Sequence, residues 1–349
     1  MTDTTHHPAP RRLGRTGPLV APFALGTMTF GAEADEAVSH AQLDRFVARG
    51  GTLIDTADVY ADGESEAIIG RWGARRGGMD DLVLATKCRF GPTPGSAGAS
   101  RRAVRRSLEA SLRRLAIEAV DLYFIHGWDA DTDVAETLDV LGDLRREGKL
   151  HHVGWSNVTG WQLERICRTA EANGLPVPCA LQPQYNLLER GIEVEVLPCA
   201  LENGIGLTPW SPLGGGWLTG KYDPDTRPTG ATRLGDDPDR GVEAYDKRNT
   251  ARTHAILDAL KAVAGRHGRP PAQVALQWLL SRPGVASILL GARTIEQLDG
   301  NLDAADLALS EDDVAELTRA SAPGLPDYPY AFVHDWSGVD HWERMGTGR

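Results

Sequence analysis

A (β/α)8 barrel is the fold the sequence predicts, and three observations predict it. Eight short β-prone runs recur along the chain, each tied to the next through a segment of helical periodicity. Helical segments stop at Gly148, Gly174 and Gly204, as helices closed by a left-handed C-cap do. No shift in composition divides the chain, so one domain holds all the units. Alternating strands and helices with parallel crossovers give either an open doubly wound sheet or a closed barrel, and the count of eight favours the barrel. Its reaction centre is then expected at the C-terminal ends of the strands.

The elements follow in order. Residues 1–10 are polar and read as a disordered N-terminus, before a single barrel domain over 11–321. Turn signals at Gly14 and at Gly17-Pro18 predict an N-terminal hairpin. The first strand, 23–25, runs into Gly26-Thr27-Met28-Thr29-Phe30-Gly31, where flanking glycines let a ligand approach the backbone. Helix 36–49 leads to strand 52–55, and helix 65–75 to strand 82–86. Helix 100–115 leads to strand 119–125, helix 134–147 to strand 151–155, and helix 160–173 to strand 179–182. Helix 193–203 leads to the seventh strand, 205–208. The long loop after it, 210–248, is rich in glycine, proline and charge and reads as a lid or a disordered loop. Helices 249–267 and 271–281 precede the eighth strand, 285–290.

The last helix, 310–321, opens on Ser310 and Asp313, a capping box with Asp in place of Glu. A C-terminal tail, 322–349, carries Tyr328, Tyr330, Phe332, Trp336 and Trp342. So many aromatics are not expected to lie wholly in water. The tail is therefore expected to pack on or near the active-site face, as plain barrel wall or as a wall of the substrate pocket.

Composition narrows the function classes. The 349 residues carry a net charge of -11, which argues against a broad basic surface for nucleic acid or anionic lipid. No apolar run approaches the roughly 20 residues of a membrane helix, and the N-terminus lacks an apolar signal core, so a cytoplasmic protein is expected. Cys88, Cys167, Cys179 and Cys199 show no C-x-x-C spacing and read as reduced, packed thiols, with no metal site. Gly215 to Tyr222 nearly fits a P-loop, but Tyr222 stands where a magnesium-binding Ser or Thr is required. There is no G-x-G-x-x-G, against a Rossmann domain.

Four polar side chains stand at or near the ends of adjacent strands: Asp55 and Tyr60 at the second, Lys87 after the third, His126 after the fourth. Each alone has a plain structural alternative, as a helix cap, a half-buried aromatic, a solvated charge or a core histidine. Together they make chemical sense. A phenol has an ordinary pKa of about 10, and a neighbouring ammonium favours its ionised form. Lys87 beside Tyr60 is expected to lower the phenol's pKa, with Asp55 holding Lys87 charged and in place. His126 can hydrogen-bond a carbonyl oxygen and steer it toward the phenol. The set amounts to a general acid for a developing alkoxide, and it lacks only a hydride donor, which no side chain can supply.

Asp55, Tyr60, Lys87 and His126 resemble the catalytic tetrad of the aldo-keto reductase family. The strings Leu25-Gly26-Thr27-Met28, Ile54-Asp55-Thr56-Ala57-Asp58-Val59-Tyr60, Ala85-Thr86-Lys87, Val153-Gly154-Trp155-Ser156-Asn157, Gln182-Pro183-Gln184-Tyr185-Asn186 and Trp210-Ser211-Pro212-Leu213 carry the resemblance in family order, over about 12–321. The resemblance implies a TIM barrel, NADPH as hydride donor with NADH as the alternative, and reversible reduction of a small-molecule aldehyde or ketone. It places Gly26, Thr27, Met28 and Asp55 against the cofactor. It places Ser156, Asn157 and Gln182 on the nicotinamide amide and Trp210 on its ring. Ser211 and Leu213, with Lys221 beyond, match the pyrophosphate stretch; Gly291, Arg293, Gln297 and Asn301 match the adenosine end. Arg293 near a helix N-terminus suits a 2′-phosphate. Thr294 and Gln297 also read as a capping box. Gly300 stands where relatives often have an acidic residue on adenine. Phe30, Tyr60, His126 and Trp128 are expected to shape the substrate pocket, with 222–248 and the tail. An NADPH-binding regulatory subunit with little turnover, or a dedicated keto-sugar reductase, are the alternative readings.

Overall fold

The computed structural model describes residues 9–91, 95–230, 232–239, 241–324 and 326–337. Arg11–Arg12 (β1) and Leu19–Val20 (β2) pair as an antiparallel hairpin. Eight parallel strands follow: Phe23–Gly26 (β3), Leu53–Asp55 (β4), Val83–Cys88 (β5), Val120–Ile125 (β6), Leu150–Ser156 (β7), Ala180–Gln182 (β8), Gly206–Leu207 (β9) and Ile288–Leu290 (β10). Their spatial order is β10-β3-β4-β5-β6-β7-β8-β9. The two ends of that order meet, because the Leu207 N–H donates to the Gly284 carbonyl at 2.7 Å and the Ala286 N–H to the Leu207 carbonyl at 3.0 Å. The sheet thereby closes into the (β/α)8 barrel and leaves no open edge.

Helices Glu36–Ala48 (α1), Glu64–Arg76 (α2), Arg101–Leu115 (α3), Val134–Arg146 (α4), Gly160–Ala172 (α5) and Val196–Glu202 (α6) cover the outside. Short helices Arg233–Asp236 (α7) and Tyr245–Arg248 (α8) lie in the long loop; Ala251–His267 (α9), Pro271–Leu280 (α10), Ile295–Leu302 (α11), Glu311–Ala320 (α12) and Phe332–Ser337 (α13) follow. Helix α3 illustrates the local rules. Ser100 caps it by accepting the Ala103 N–H. Val104, Leu108, Leu112 and Leu115 recur at helical spacing and are buried against the sheet, and Ala116 ends the helix at φ +54°. Helix α12 opens on the expected capping box, with Ser310 and Asp313 bonded reciprocally.

The barrel interior holds Ala24, Leu53, Ala85, Leu122, Phe124 and Ala180, with Leu13 and Val20 of the hairpin packed against them. Each of the larger members contributes about 1.5–3 kcal/mol on burial. Phe124 fixes one composition choice nearby: a Cβ on Gly154 would lie 2.5 Å from its ring, so only glycine fits there.

Several expectations need correction. The third barrel strand extends to Cys88, so Lys87 lies within it rather than past it. Segment 210–248 is built largely on short helical turns around buried Trp217, Tyr222, Leu234 and Tyr245, which rules out the disordered reading for its described residues. Trp217 and Tyr245 stack at 5.5 Å, supplying the small core that composition did not reveal. In the tail, Tyr328 and Trp336 are 75 % and 80 % exposed, contrary to expectation. Phe332 sits between them, 5.9 Å from Tyr328 and 5.6 Å from Trp336, so these rings shield one another. Tyr330 ties the tail to the loop before α6 through a 2.5 Å bond to Glu195. Residues 1–8 and Trp342 lie outside the described residues. The four cysteines are free thiols. No described helix is long and apolar enough to cross a membrane, and no group of metal-ligating side chains occurs among the described residues.

Candidate active site

Strand pleating delivers the polar set. Side chains alternate in direction along a strand, so residues two apart share a face. Leu53 and Ala85 belong to the interior cluster, and the same faces continue to Asp55 and Lys87. On β6 the inward series Leu122, Phe124 continues to His126; on β7 Gly154 leads to Ser156, and on β8 Ala180 leads to Gln182. Each series ends in a polar group at the C-terminal rim of its strand.

Lys87 is fully buried and is the hub. Its ammonium donates to Asp55 Oδ2 at 2.5 Å, to the Thr56 carbonyl at 2.7 Å and to the Tyr60 hydroxyl at 3.2 Å. Gln182 Nε2 donates to the other Asp55 oxygen at 2.9 Å. Burial works against the Lys87 charge, but Asp55 and Tyr60 outweigh it and hold its pKa above the ordinary lysine value. Burial lifts the Asp55 carboxyl above its usual range, against Lys87 and Gln182.

The phenol does not behave as expected from sequence. Burial raises the Tyr60 pKa above that of an ordinary phenol; Lys87 opposes the rise, and Asp55 and Asp58 add to it. Desolvation of the phenol outweighs the neighbouring ammonium. His126 stands across from Tyr60, ring centroids 6.0 Å apart and nearly perpendicular. Burial, Lys87 and Arg89 push its pKa down to about 3, so the imidazole is neutral at physiological pH. Its Nδ1 is buried with no partner, and its backbone N–H donates to the Cys88 carbonyl at 2.9 Å.

Behind Tyr60 the chain turns sharply. Ala61, Asp62 and Gly63 all have left-handed φ, +47°, +54° and +93°. Arg114 packs against this turn, since a Cβ on Gly63 would lie 2.8 Å from its Cδ. Arg114 Nε also bonds Glu66 at 2.7 Å, and the fully buried Glu66 accepts from the Thr86 hydroxyl at 2.5 Å. Asp58, whose backbone N–H donates to the Lys87 carbonyl at 3.1 Å, completes this brace. Burial and Glu66 push its carboxyl up to about 7. Asp58 comes from a rim loop, Glu66 and Arg114 from two different helices, and no spacing rule links them.

The other expected residues fall on the same rim, with differences. Gly26 ends β3 in register with Asp55, and the Thr27 hydroxyl bonds the Asp55 carbonyl at 3.1 Å, with Met28 half-buried beside it. Ser156 is buried and donates to the Gln182 carbonyl at 2.7 Å. Asn157 is exposed at φ +55°; its amide donates to the His126 carbonyl at 2.9 Å and its oxygen accepts from Trp210 Nε1 at 3.1 Å. Ser211, at φ +53°, bonds Glu243, and Leu213 is half-buried. Trp128 sits at the rim, 5.4 Å from Trp161. Phe30, expected at the substrate pocket, is fully buried in the outer core, past the turn that follows β3 and bridged to Ala34.

Where the adenosine end is expected, Gly291 is exposed with open space where a Cβ would be. Arg293 bonds Asp236 at 2.6 Å and Glu33 at 3.2 Å. Gln297 is not half of a capping box: Thr294 caps α11, while the Gln297 side chain accepts the Arg293 N–H at 2.9 Å. Asn301 is half-buried one turn on. Desolvation, Arg293 and Arg233 hold the Lys221 ammonium below its usual pKa, which puts three cations in one region.

With this geometry in hand, comparison with known proteins is decisive. The model of the Aldo/keto reductase family matches residues 22–322. The chain belongs to the aldo/keto reductase family. Protein tas of Escherichia coli is 34% identical over 329 residues, covering 85% of this chain and 93% of that protein. Aflatoxin B1 aldehyde reductase member 2 of Mus musculus is 34% identical over 348 residues, covering 96% and 89%. Norsolorinic acid reductase stcV of Emericella nidulans is 32% identical over 332 residues, covering 90% and 82%. Within this aldo/keto reductase, the sequence reading missed Glu33, Asp236 and Arg233, which meet the expected cofactor residues only through loop packing. Arg233 bonds Glu243 at 3.2 Å. A basic residue in a glycine-rich loop gives no signal of its own.

Proposed function

We propose that this aldo/keto reductase reduces an aldehyde or ketone to the alcohol with NADPH, and that Tyr60 is the proton donor. The observation that carries the reading is the single ammonium of Lys87, within hydrogen-bond reach of both Asp55 and the Tyr60 hydroxyl.

The residues present fit a dinucleotide. The exposed Asn157, the half-buried Trp210 and the open space at Gly291 suit a flat ring and a ribose; Lys221, Arg233 and Arg293 suit phosphate oxygens. Ser156, Asn157, Gln182 and Trp210 would hold the nicotinamide end, and Gly26, Thr27 and Met28 the floor. Ser211, Leu213 and Lys221 would hold the pyrophosphate, and Arg293, Gln297 and Asn301 the adenosine. When bound, the cofactor supplies a hydride to the substrate carbonyl carbon.

The chain's own residues handle orientation and the proton. Neutral His126 donates a hydrogen bond to the carbonyl oxygen and aims it at Tyr60. The raised pKa keeps the phenolic proton in place at neutral pH, so Tyr60 begins each cycle loaded. As charge develops on the oxygen, the proton passes to it from the Tyr60 hydroxyl. Lys87 stabilises the phenolate left behind, and Asp55 keeps Lys87 pointed at it.

The test is NADPH oxidation over a panel of aldehydes, ketones and keto-sugars, with wild type and Tyr60→Phe. Wild type should turn over at least one carbonyl class. Tyr60→Phe should lose reduction by about a hundredfold or more while still binding NADPH. Retained turnover in the variant would remove Tyr60 as the acid. NADPH binding without turnover of any carbonyl would favour a regulatory subunit.

A further inference from the structure

Arg89 is not used by the chemistry above, yet it stands directly after β5, two residues from Lys87. Its backbone adopts φ +116°, a region non-glycine residues avoid and which persists only where the surroundings enforce it. Its guanidinium lies 4.6 Å from the Phe90 ring centroid, and the Phe90 ring meets His126 edge-on at 5.0 Å. A Cβ on Gly127 would touch both Phe90 and the Arg89 Cδ, at 3.1 and 3.8 Å. Arg89 is therefore seated beside His126, at the rim where the carbonyl is to be held.

No ion pair holds its charge among the described residues. Among the described residues no carboxylate comes within ion-pair distance of Arg89, and Pro92, Thr93 and Pro94 carry none. Arg89 does act on Asp129, helping to lower its pKa, but the Asp129 oxygens are bonded to Ala99 N–H at 2.7 Å, the Thr132 hydroxyl at 2.8 Å and Asp131 N–H at 3.2 Å. The Arg89 Nε is buried without a partner. Phe90, the ring against its guanidinium, is 43 % exposed; Trp161, 57 % exposed, packs on Trp128. A cation stacked on an exposed ring, with no carboxylate in ion-pair contact among the described residues, suits a ligand that brings one.

We propose that Arg89 determines specificity by binding an anionic group on the substrate, so that the favoured carbonyls are aldehydes or ketones carrying a carboxylate on an apolar or aromatic body. This rests on the carbonyl reduction proposed above. The test compares 3- and 4-carboxybenzaldehyde with their methyl esters, in wild type, Arg89→Lys and Arg89→Met. In wild type kcat/KM should favour the better acid over its ester by about tenfold or more. Arg89→Met should collapse that ratio toward one, and Arg89→Lys should retain part of it. No preference in wild type, or a ratio unchanged in Arg89→Met, overturns the proposal while leaving carbonyl reduction standing. If wild type reduces no carbonyl, the reduction reading fails separately. Quenching of tryptophan fluorescence by acid and ester then decides Arg89: acid binding weakened in Arg89→Met supports it, and equal binding in both proteins overturns it.

Discussion

Lys87 lies 2.5 Å from Asp55 and 3.2 Å from Tyr60, with no exposed surface of its own. One ammonium thus neutralises a buried carboxylate and faces a buried phenol. Removing it leaves the buried Asp55 with the Gln182 amide but no counter-charge, a cost of about 3–5 kcal/mol. Lys87→Met should therefore lower the unfolding free energy by roughly that amount, and Asp55→Asn in the same chain should recover a good part of it. Denaturant titration of the single and double variants measures this. Additive losses would mean that the two groups do not act as a pair.

Neutral His126 makes a spectroscopic prediction. Its pKa is pushed from the usual value down to about 3, so its ring proton signals should stay flat as pH falls from about 8 to about 4. Histidine resonances assigned by comparison with His126→Gln give the answer; a midpoint near the ordinary value of about 6.5 would contradict the neutral ring. The linkage sign follows. Between about 6.5 and 3 the unfolded chain binds a proton that the folded chain refuses, so this residue's contribution is present above 6.5 and lost as pH falls.

Asp58 has the opposite sign. Its folded pKa is raised from 3.8 to about 7, through burial and Glu66, against Arg114, Ser107 and Lys87. Between those values the folded state holds a proton that the unfolded state releases. Its stabilising contribution is complete below about 3.8 and is lost as pH rises toward about 7. Asp58→Asn should remove that loss, so the thermal midpoint of the variant relative to wild type should rise from pH 4 to pH 7. A difference independent of pH would show that Asp58 does not titrate in that window.

Arg293, held at 2.6 Å by Asp236 and 3.2 Å by Glu33, is the strongest candidate to read a 2′-phosphate. Arg293→Ala should raise the NADPH dissociation constant by about tenfold more than that of NADH. The difference should shrink as salt is added, because an exposed charge contact is screened. Calorimetric titration with both cofactors checks it; equal weakening would take Arg293 out of that role.

Much of the candidate site is legible in the sequence. Strand alternation is local, so a sequence that reads Leu53, Asp55 and Ala85, Lys87 already commits those pairs to single faces. Eight strand and helix units commit those faces to one rim. Glycine stops, the Ser310 cap and the hairpin turns were likewise visible, since each depends on residues a few positions apart.

What tertiary structure alone decided depends on groups far apart along the chain. Desolvation of Tyr60 is set by what surrounds it, and it reversed the direction expected from Lys87 alone. The brace of Asp58, Glu66 and Arg114 joins a rim loop to two helices. Asp236 reaches Arg293 across 57 positions, through a loop whose composition hid its own small core. Phe30 went to the core and Arg89 to the rim, although both follow a strand closely. Periodicity tells which way a side chain points; only the packed chain tells what is waiting there, and energies of charge and burial depend on the second.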